Sequence, residues 1–396
     1  MGADAIMRTV LRLSESIGPR PPGSPAEREA ARYIEGVFRD MGLDTSMEPF
    51  ESPSHLAVSS EIRVAGEDAP FASFPAQFTA GGDARGELVY LGMMGKSGRE
   101  PDGLAGKIGL LMPAGGHQAK IDCLARLEER RLEGLIVVSP YLDNTQTKIV
   151  RYPEIARLPI AVVSVRTASR LARHVGTQAE LRVTRADAVC SGSQNVVGTV
   201  AGRSDRWLAI SAHHDTAPFA PGALDNASGV AVVIEAARRF AKSTPPATLC
   251  FVSTGSEEYG RLDGVGAGAQ AFYDRRAGDL AACLGHVEID DVGNVLGTDE
   301  VFIWGSDTFR DRVLEAVGPA VHYGGTGSIG CDHGAAQQRG VPWLWFTDAN
   351  MPRPYYHSPE DTIEFFDATR AAACVDFAER AIAALAAGLP SEHAPT

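Results

Sequence analysis

Trp207-Leu208-Ala209-Ile210-Ser211-Ala212-His213-His214-Asp215 is the stretch that decides the fold. Its first five residues form a short apolar run of strand length, the pattern of a strand buried on both faces, and the run ends at His213. A glycine-containing turn, Gly222-Ala223-Leu224-Asp225-Asn226, leads into a helix expected over 226–242, with Val230, Val233, Ala237 and Phe240 on one face. The buried-strand pattern returns at 248–253, 284–289 and 342–346, and a terminal helix is expected over about 367–387. Strands alternating with helices predict an α/β fold, a mostly parallel mixed sheet covered by helices on both faces.

Outward from this region, residues 3–17 read as a helix. Ser24-Pro25-Ala26-Glu27 is a capping box with proline at the first helical position. Tyr33, Ile34, Val37, Phe38 and Met41 form the apolar face of the helix it opens, Gly42 ends that helix, and 44–51 reads as a strand. Between about 55 and 187 the character changes to short β-type runs at 87–91, 107–112, 134–139 and 159–164, with one charged helix at about 118–132. The expected organisation is a main domain of residues 1–54 and 188–396, interrupted by a β-rich inserted domain, 55–187.

At 396 residues, 44% of them hydrophobic, the chain can build a large core and exceeds one typical domain. Acidic residues outnumber basic ones 50 to 37, a net charge of −13, which argues against nucleic acid and anionic membrane surfaces as partners. The six cysteines form no C-x-x-C pair and read as reduced, mostly buried thiols. There is no apolar run of about 20 residues to span a membrane. The N-terminus has an early acid and no apolar signal core, so a cytoplasmic location is expected, although a secreted chain whose signal had been removed would look the same.

Five segments place a metal-type ligand beside turn-forming residues: His213-His214-Asp215, Asp225-Asn226, Glu257-Glu258, Glu288-Ile289-Asp290 and Tyr356-His357. Oxygen and imidazole donors without cysteine suit zinc or a similar divalent ion. Two histidines and three carboxylates, with one carboxylate left over as a base, suffice for a two-metal hydrolase. In an extended stretch residues two apart share a face, so His213 can ligate while Asp215 orients its ring. Asp225 could bridge two ions or simply cap a helix. Adjacent Glu257 and Glu258 point in different directions, which lets one bind metal while the other takes a proton. Each segment alone is equally well read as a turn acid or a surface histidine. Their order and their placement at strand ends favour a dinuclear site.

The set resembles the co-catalytic two-zinc aminopeptidase family, which includes bacterial leucyl aminopeptidase and glutamate carboxypeptidase II-like metallopeptidases. The resemblance rests on Ala212-His213-His214-Asp215-Thr216, Gly222 to Gly229, Glu257-Glu258-Tyr259-Gly260, Ile289-Asp290 and Tyr356 to Thr362, with Cys331-Asp332-His333 and Gly18 to Ser24 as further segments. It implies the zinc exopeptidase fold and two zinc ions per chain. Asp225 would bridge them, with His213 and Asp290 completing one site and Glu258 and His357 the other. It further implies Glu257 as the base, Tyr356 as a donor to the tetrahedral intermediate, and a cis Asp225–Asn226 peptide. The insert looks like a protease-associated domain. Departures from the family pattern fall at Asp291, usually methionine, at Cys331, usually serine, at Ala336, usually aromatic, and in the loop Arg261 to Gly266.

The expected activity is a zinc exopeptidase acting on the N-terminal bond of peptides, with a bridging water and a glutamate general base. The chain could also form a homo-oligomer. The alternatives are a carboxypeptidase or dipeptidase with the same metals, for which Arg339 and Arg353 would be the candidate carboxylate readers, a glutaminyl cyclase, and a non-catalytic binding relative.

Overall fold

The computed structural model describes residues 2–388 apart from 53–56, 78, 95–100, 115–116, 146–156, 186–191, 259–264, 328–329 and 349–352. Its strands run β1 Asp44–Glu51, β2 Ala57–Val64, β3 Phe74–Pro75, β4 Gly82–Met94, β5 Ile108–Pro113, β6 Gly134–Val138, β7 Ile160–Val163 and β8 Gln178–Arg185. They continue as β9 Gly192–Val200, β10 Trp207–His213, β11 Thr248–Thr254, β12 Cys283–Ile289, β13 Asp299–Trp304, β14 His322–Gly325 and β15 Trp343–Asp348. Two sheets result, an eight-stranded one ordered β1-β9-β11-β10-β12-β15-β13-β14 and a seven-stranded one ordered β2-β8-β4-β5-β6-β7-β3.

The first sheet is parallel through its centre, where β11, β10, β12 and β15 lie side by side, and antiparallel where β9 and β13 join. Side chains alternate across the strands and so divide between two cores. Leu208, Ile210 and Ala212 of β10 enter the larger core, which also takes residues of the helices Gly2–Leu11, Pro25–Asp40, Gly229–Phe240, Asp307–Val317 and Ala368–Ala386. Trp207 and Ala209 face the opposite way, into a core shared with the helices Ala267–Arg275 and His333–Gln337. The expected α/β sheet with helices on both faces is thus the observed architecture.

The second sheet has its own cores. It is mixed too, with β4, β5, β6 and β7 parallel and β2, β8 and β3 antiparallel, which goes beyond the β-rich character read from sequence. The charged helix appears as His117–Glu129. The boundaries expected at 54/55 and 187/188 lie outside the described residues. Five cysteines are free thiols, while Cys190 lies outside the described residues. No helix among the described residues is long and apolar enough to cross a membrane.

Local starts and stops follow the sequence closely at the N-terminal end. Ser24 caps the helix Pro25–Asp40 by accepting from Glu27 N at 3.0 Å, and Gly42, at φ 81°, turns the chain out of it. The Glu27 carboxylate does not return the bond to Ser24. Its Oε2 accepts from Gly23 N at 2.6 Å and its Oε1 from Ser193 Oγ at 2.5 Å, so it ties the helix to β9 instead.

One boundary is corrected. The helix expected from Asn226 begins at Gly229, and residues 223–228 form a wider, irregular turn with non-helical angles at Asp225 and Asn226. Gly229 is required there: a Cβ would stand 2.2 Å from Asn226 Oδ1 and 2.3 Å from Ile289 O.

Candidate metal centre

The central parallel strands all end on one edge of the first sheet. His213 closes β10 and pairs in register with Thr254, the last residue of β11; Asp290 follows β12, and β15 leads to the loop that carries Tyr356 and His357. β10 lies between β11 and β12, so successive connections leave it in opposite directions and open a crevice at its carboxyl end. The five expected ligands meet there.

They form two overlapping donor sets, His213–Asp225–Asp290 and Asp225–Glu258–His357, each with donor atoms within 4.8 Å of one another. His213 Nε2 lies 3.1 Å from Asp225 Oδ1 and 3.4 Å from Asp290 Oδ1. His357 Nε2 lies 3.3 Å from both Asp225 Oδ2 and Glu258 Oε2. Asp225 therefore offers one oxygen to each set. All five side chains are buried. Glu257, also buried, belongs to neither set.

The surrounding chain explains this convergence. Asp361 accepts from Leu224 N at 2.9 Å and from Asp225 N at 3.1 Å, which fixes the turn that presents Asp225, and the Asp225–Asn226 peptide is cis. The buried Arg20 donates to the carbonyls of His214, Pro221 and Gly222 at 2.8, 2.7 and 3.1 Å, and so joins the Gly18 to Ser24 segment to both ligand-bearing loops. The Gly18 to Ser24 segment is legible in the sequence, but this bracing role of Arg20 is not, because no spacing in the sequence reveals a guanidinium folded onto carbonyls.

Asp215 was expected to orient the His213 ring. Its carboxylate stands 3.6 Å from His213 Nδ1, while its main-chain carbonyl is nearer, at 3.1 Å. The carboxylate oxygens accept from Glu257 N at 3.0 Å and Glu258 N at 2.9 Å, so Asp215 clamps the two glutamates as well as bracing the histidine. Glu258 Oε1 also accepts from Ala217 N at 3.1 Å.

Burial disfavours charge on these groups; attraction from opposite charges outweighs it at His213 and Asp225, while burial raises the pKa of Asp290 above 3.8. Burial opposes a charged His213, but Asp290, Asp215 and Asp225 hold its pKa well above 6.5. Burial would raise Asp225, yet His213 and His357 hold it well below 3.8. His214 is different: burial pushes it down to about 4, and it bonds Ser253 Oγ at 3.0 Å as a neutral ring.

Glu288 is not a partner of this centre. Its carboxylate accepts from Asp332 N at 3.1 Å, from His333 N at 2.9 Å and from the His333 ring. Cys331 lies close enough to make Glu288, Cys331 and His333 a third donor group, but the three hydrogen bonds already occupy Glu288. The unit holds the Cys331-Asp332-His333 segment beneath β12. Tyr356 stacks on His357 with ring centroids 3.6 Å apart. Asp291, at φ 57° and pushed up to about 7 by burial against the pull of Arg353, bonds the Arg353 guanidinium; Arg339 bonds Asp274. The Arg261 to Gly264 part of the departing loop lies outside the described residues.

Comparison with known proteins agrees with this geometry. The sequence model of peptidase family M28 matches residues 195–382, the segment holding every donor described above. Aminopeptidase YwaD of Bacillus subtilis is 25% identical over 386 residues, covering 91% of this chain and 80% of the relative. In structure, the chain is similar to BSAP, a zinc aminopeptidase from Bacillus subtilis, with a TM-score of 0.79 at 22% identity over 99% of this chain and 96% of the other. It is also similar to an aminopeptidase from Aneurinibacillus sp. strain AM-1, with a TM-score of 0.70 at 24% identity over 96% and 93% of the two chains. Through residues 195–382 the chain is similar to peptidase family M28.

Proposed function

We propose that the protein is a zinc aminopeptidase that releases the N-terminal residue of peptides at a two-zinc centre. The observation that carries this reading is the pair of donor sets sharing Asp225, with Glu257 beside them and outside both.

The residues fit the metal. His213 Nδ1 faces the Asp215 carbonyl at 3.1 Å, which makes Nδ1 a protonated nitrogen and leaves at Nε2 a lone pair that either a second proton or a metal ion can take. That lone pair is buried without a hydrogen bond and faces carboxylate oxygens, and Asp290 Oδ1 is likewise buried without one. Lone pairs held against lone pairs call for a cation between them. His213, Asp225 and Asp290 would hold one ion; Asp225, Glu258 and His357 would hold the other. When bound, zinc supplies Lewis acidity toward the scissile carbonyl and lowers the pKa of water.

The chain does the rest. Glu257 Oε takes the proton of the attacking water and returns it to the leaving amine. Asp215 holds the Glu257 and Glu258 main chains, so the base and the ligand keep a fixed offset. Tyr356 O–H donates to the oxygen that gains charge. A carboxypeptidase would need a guanidinium for the substrate carboxylate, and the two candidates are engaged, Arg339 with Asp274 and Arg353 with Asp291. Residues 55–187 are read as an inserted, protease-associated-like domain.

Glu257→Gln tests the assignment. It should lower kcat by about 10²- to 10⁴-fold with two zinc ions retained; near-wild-type turnover with zinc bound would remove Glu257 from the base role. A panel of free and N-blocked dipeptides tests the polarity of cleavage, and cleavage of blocked substrates alone would refute the aminopeptidase reading.

A further inference from the structure

Hydrogen bonds from the second sheet's loops reach the metal centre, and they converge on one half of it. Gln77, just after β3 and only 2% exposed, donates Nε2 to the Glu258 carbonyl at 2.9 Å. Asn144, in the loop after β6, donates Nδ2 to Ser358 Oγ at 2.7 Å and to the Pro354 carbonyl. Tyr141 in the same loop donates to the Arg353 carbonyl at 2.8 Å. Ser358 Oγ in turn donates to the Tyr355 carbonyl at 2.5 Å, closing the turn that carries Tyr356 and His357. His357 sits there at φ 55°, a conformation that non-glycine residues hold only when their surroundings impose it.

The loop that delivers these donors is itself braced. Val165 N and Arg166 N donate to the carbonyls of Tyr141 and Leu142, both at 3.0 Å, and Arg166 forks onto Asp143. A further contact places Phe74 of β3 against Phe219, with centroids 5.2 Å apart, two residues beyond the Ala217 N–H that binds Glu258. By contrast, the other half rests on the first sheet. His213 is held by the Asp215 carbonyl, and Asp290 N donates to Phe346 O at 3.0 Å.

We propose that the inserted segment is a working part of the catalytic centre, with Asn144 and Gln77 as positioning residues that hold the Glu258 and His357 ligands, and so set the affinity of one of the two metal sites while leaving the other untouched. This rests on the two-zinc reading above. Groups that orient metal ligands from behind typically change metal affinity 10- to 100-fold when lost. Here the bracing comes from a different sheet, so it can be removed without altering the ligands or the strands that bear them.

The test uses the full-length zinc-loaded protein with Asn144→Asp and Gln77→Glu, which keep side-chain size but replace the N–H donors, and Asn144→Ala as a second form. Zinc release into a chelator is followed by a colorimetric indicator alongside circular dichroism. The expected result is one equivalent leaving about 10- to 100-fold faster than in the wild type, the second at the wild-type rate, and kcat restored by excess zinc. In a His357→Ala background, Asn144→Asp should add nothing, because the site it supports is already lost. Release of both equivalents at wild-type rates, or equal acceleration of both, overturns the proposal. A wild-type chain that holds only one zinc refutes the two-zinc reading itself, before any variant is compared.

Discussion

Glu27 offers a test of the fold that does not pass through the metal. It is fully buried between Gly23 and Ser193, and burial, with the nearby Asp215 charge, lifts its pKa from 4.5 to about 8. In the unfolded chain it ionises near its ordinary value. Between those two pH values the folded state holds a proton that the unfolded state has lost, so stability falls as pH rises. The contribution is fully present below about pH 4.5 and is lost as pH rises through about 8. Each tenfold change in proton affinity is worth about 1.4 kcal/mol, which makes the whole effect about 5 kcal/mol, of which about 3 kcal/mol has been lost by pH 7. Glu27→Gln copies the protonated acid. Its amide oxygen can accept from Gly23 N–H, and its NH₂ can donate to Ser193 Oγ, whose hydrogen is free to rotate. Urea midpoints of both proteins, measured from pH 5 to 8.5 with metal saturating, should lie close together at the acid end and separate steadily upward, with the variant the more stable. A gap that stays constant from pH 5 to 8 would show that Glu27 ionises normally and would refute the reasoning.

Stripping the metal should abolish peptide hydrolysis and lower the thermal midpoint. Free zinc at 100 times its Kd contributes about 2.7 kcal/mol, so readdition should restore the midpoint in a concentration-dependent way, and an unchanged midpoint would count against the cluster as a metal seat. Tyr356→Phe should lower kcat by about 10²- to 10³-fold with little change in KM, and a loss confined to KM would take the hydroxyl out of the oxyanion role. Gly202→Ala should destabilise the chain by about 1–3 kcal/mol or more without touching the site, because its Cβ would fall 2.2 Å from the Ala247 carbonyl carbon and 2.4 Å from Thr248 N, both backbone atoms; wild-type melting would mean that the 202 and 247 segments can separate freely.

What the sequence disclosed divides along physical lines. The buried central strands were readable because a strand covered on both faces must be apolar throughout, as β10 and β11 are. The candidate ligands that the structure brings together were readable because each follows such a strand or lies in the turn after it. By contrast β14, His-Tyr-Gly-Gly, has no apolar pattern, and only its pairing with β13 makes it a strand. β8 alternates Ala179, Leu181 and Val183 with exposed neighbours, a signal present in the sequence but missing from the four runs expected for the insert. The helix start was misplaced at Asn226 because helical periodicity persists through residues whose backbone is bent to present Asp225. The segments of Arg20, Asp361, Glu288 and His333 were legible, but their bracing roles were not, because their partners are backbone groups or residues far away in sequence, which no local pattern encodes.

The same reasoning explains why two adjacent glutamates can hold different positions. Leaving a strand, Glu257 and Glu258 would point apart on pleating alone, but a free loop could exchange them. Asp215 prevents that by accepting both main-chain N–H groups, one on each oxygen, while Ala217 N–H takes Glu258 Oε1 and Gln77 takes the Glu258 carbonyl. Four hydrogen bonds thus fix the pair, and three of them bear on Glu258. Its remaining oxygen, Oε2, is the one 3.3 Å from His357. Glu257 carries a main-chain restraint but lies outside both donor sets, the condition under which a carboxylate can still take a proton. In the proposed mechanism the division of labour between ligand and base therefore depends less on the Glu-Glu dipeptide than on an aspartate two residues past the first histidine and a glutamine from the other sheet.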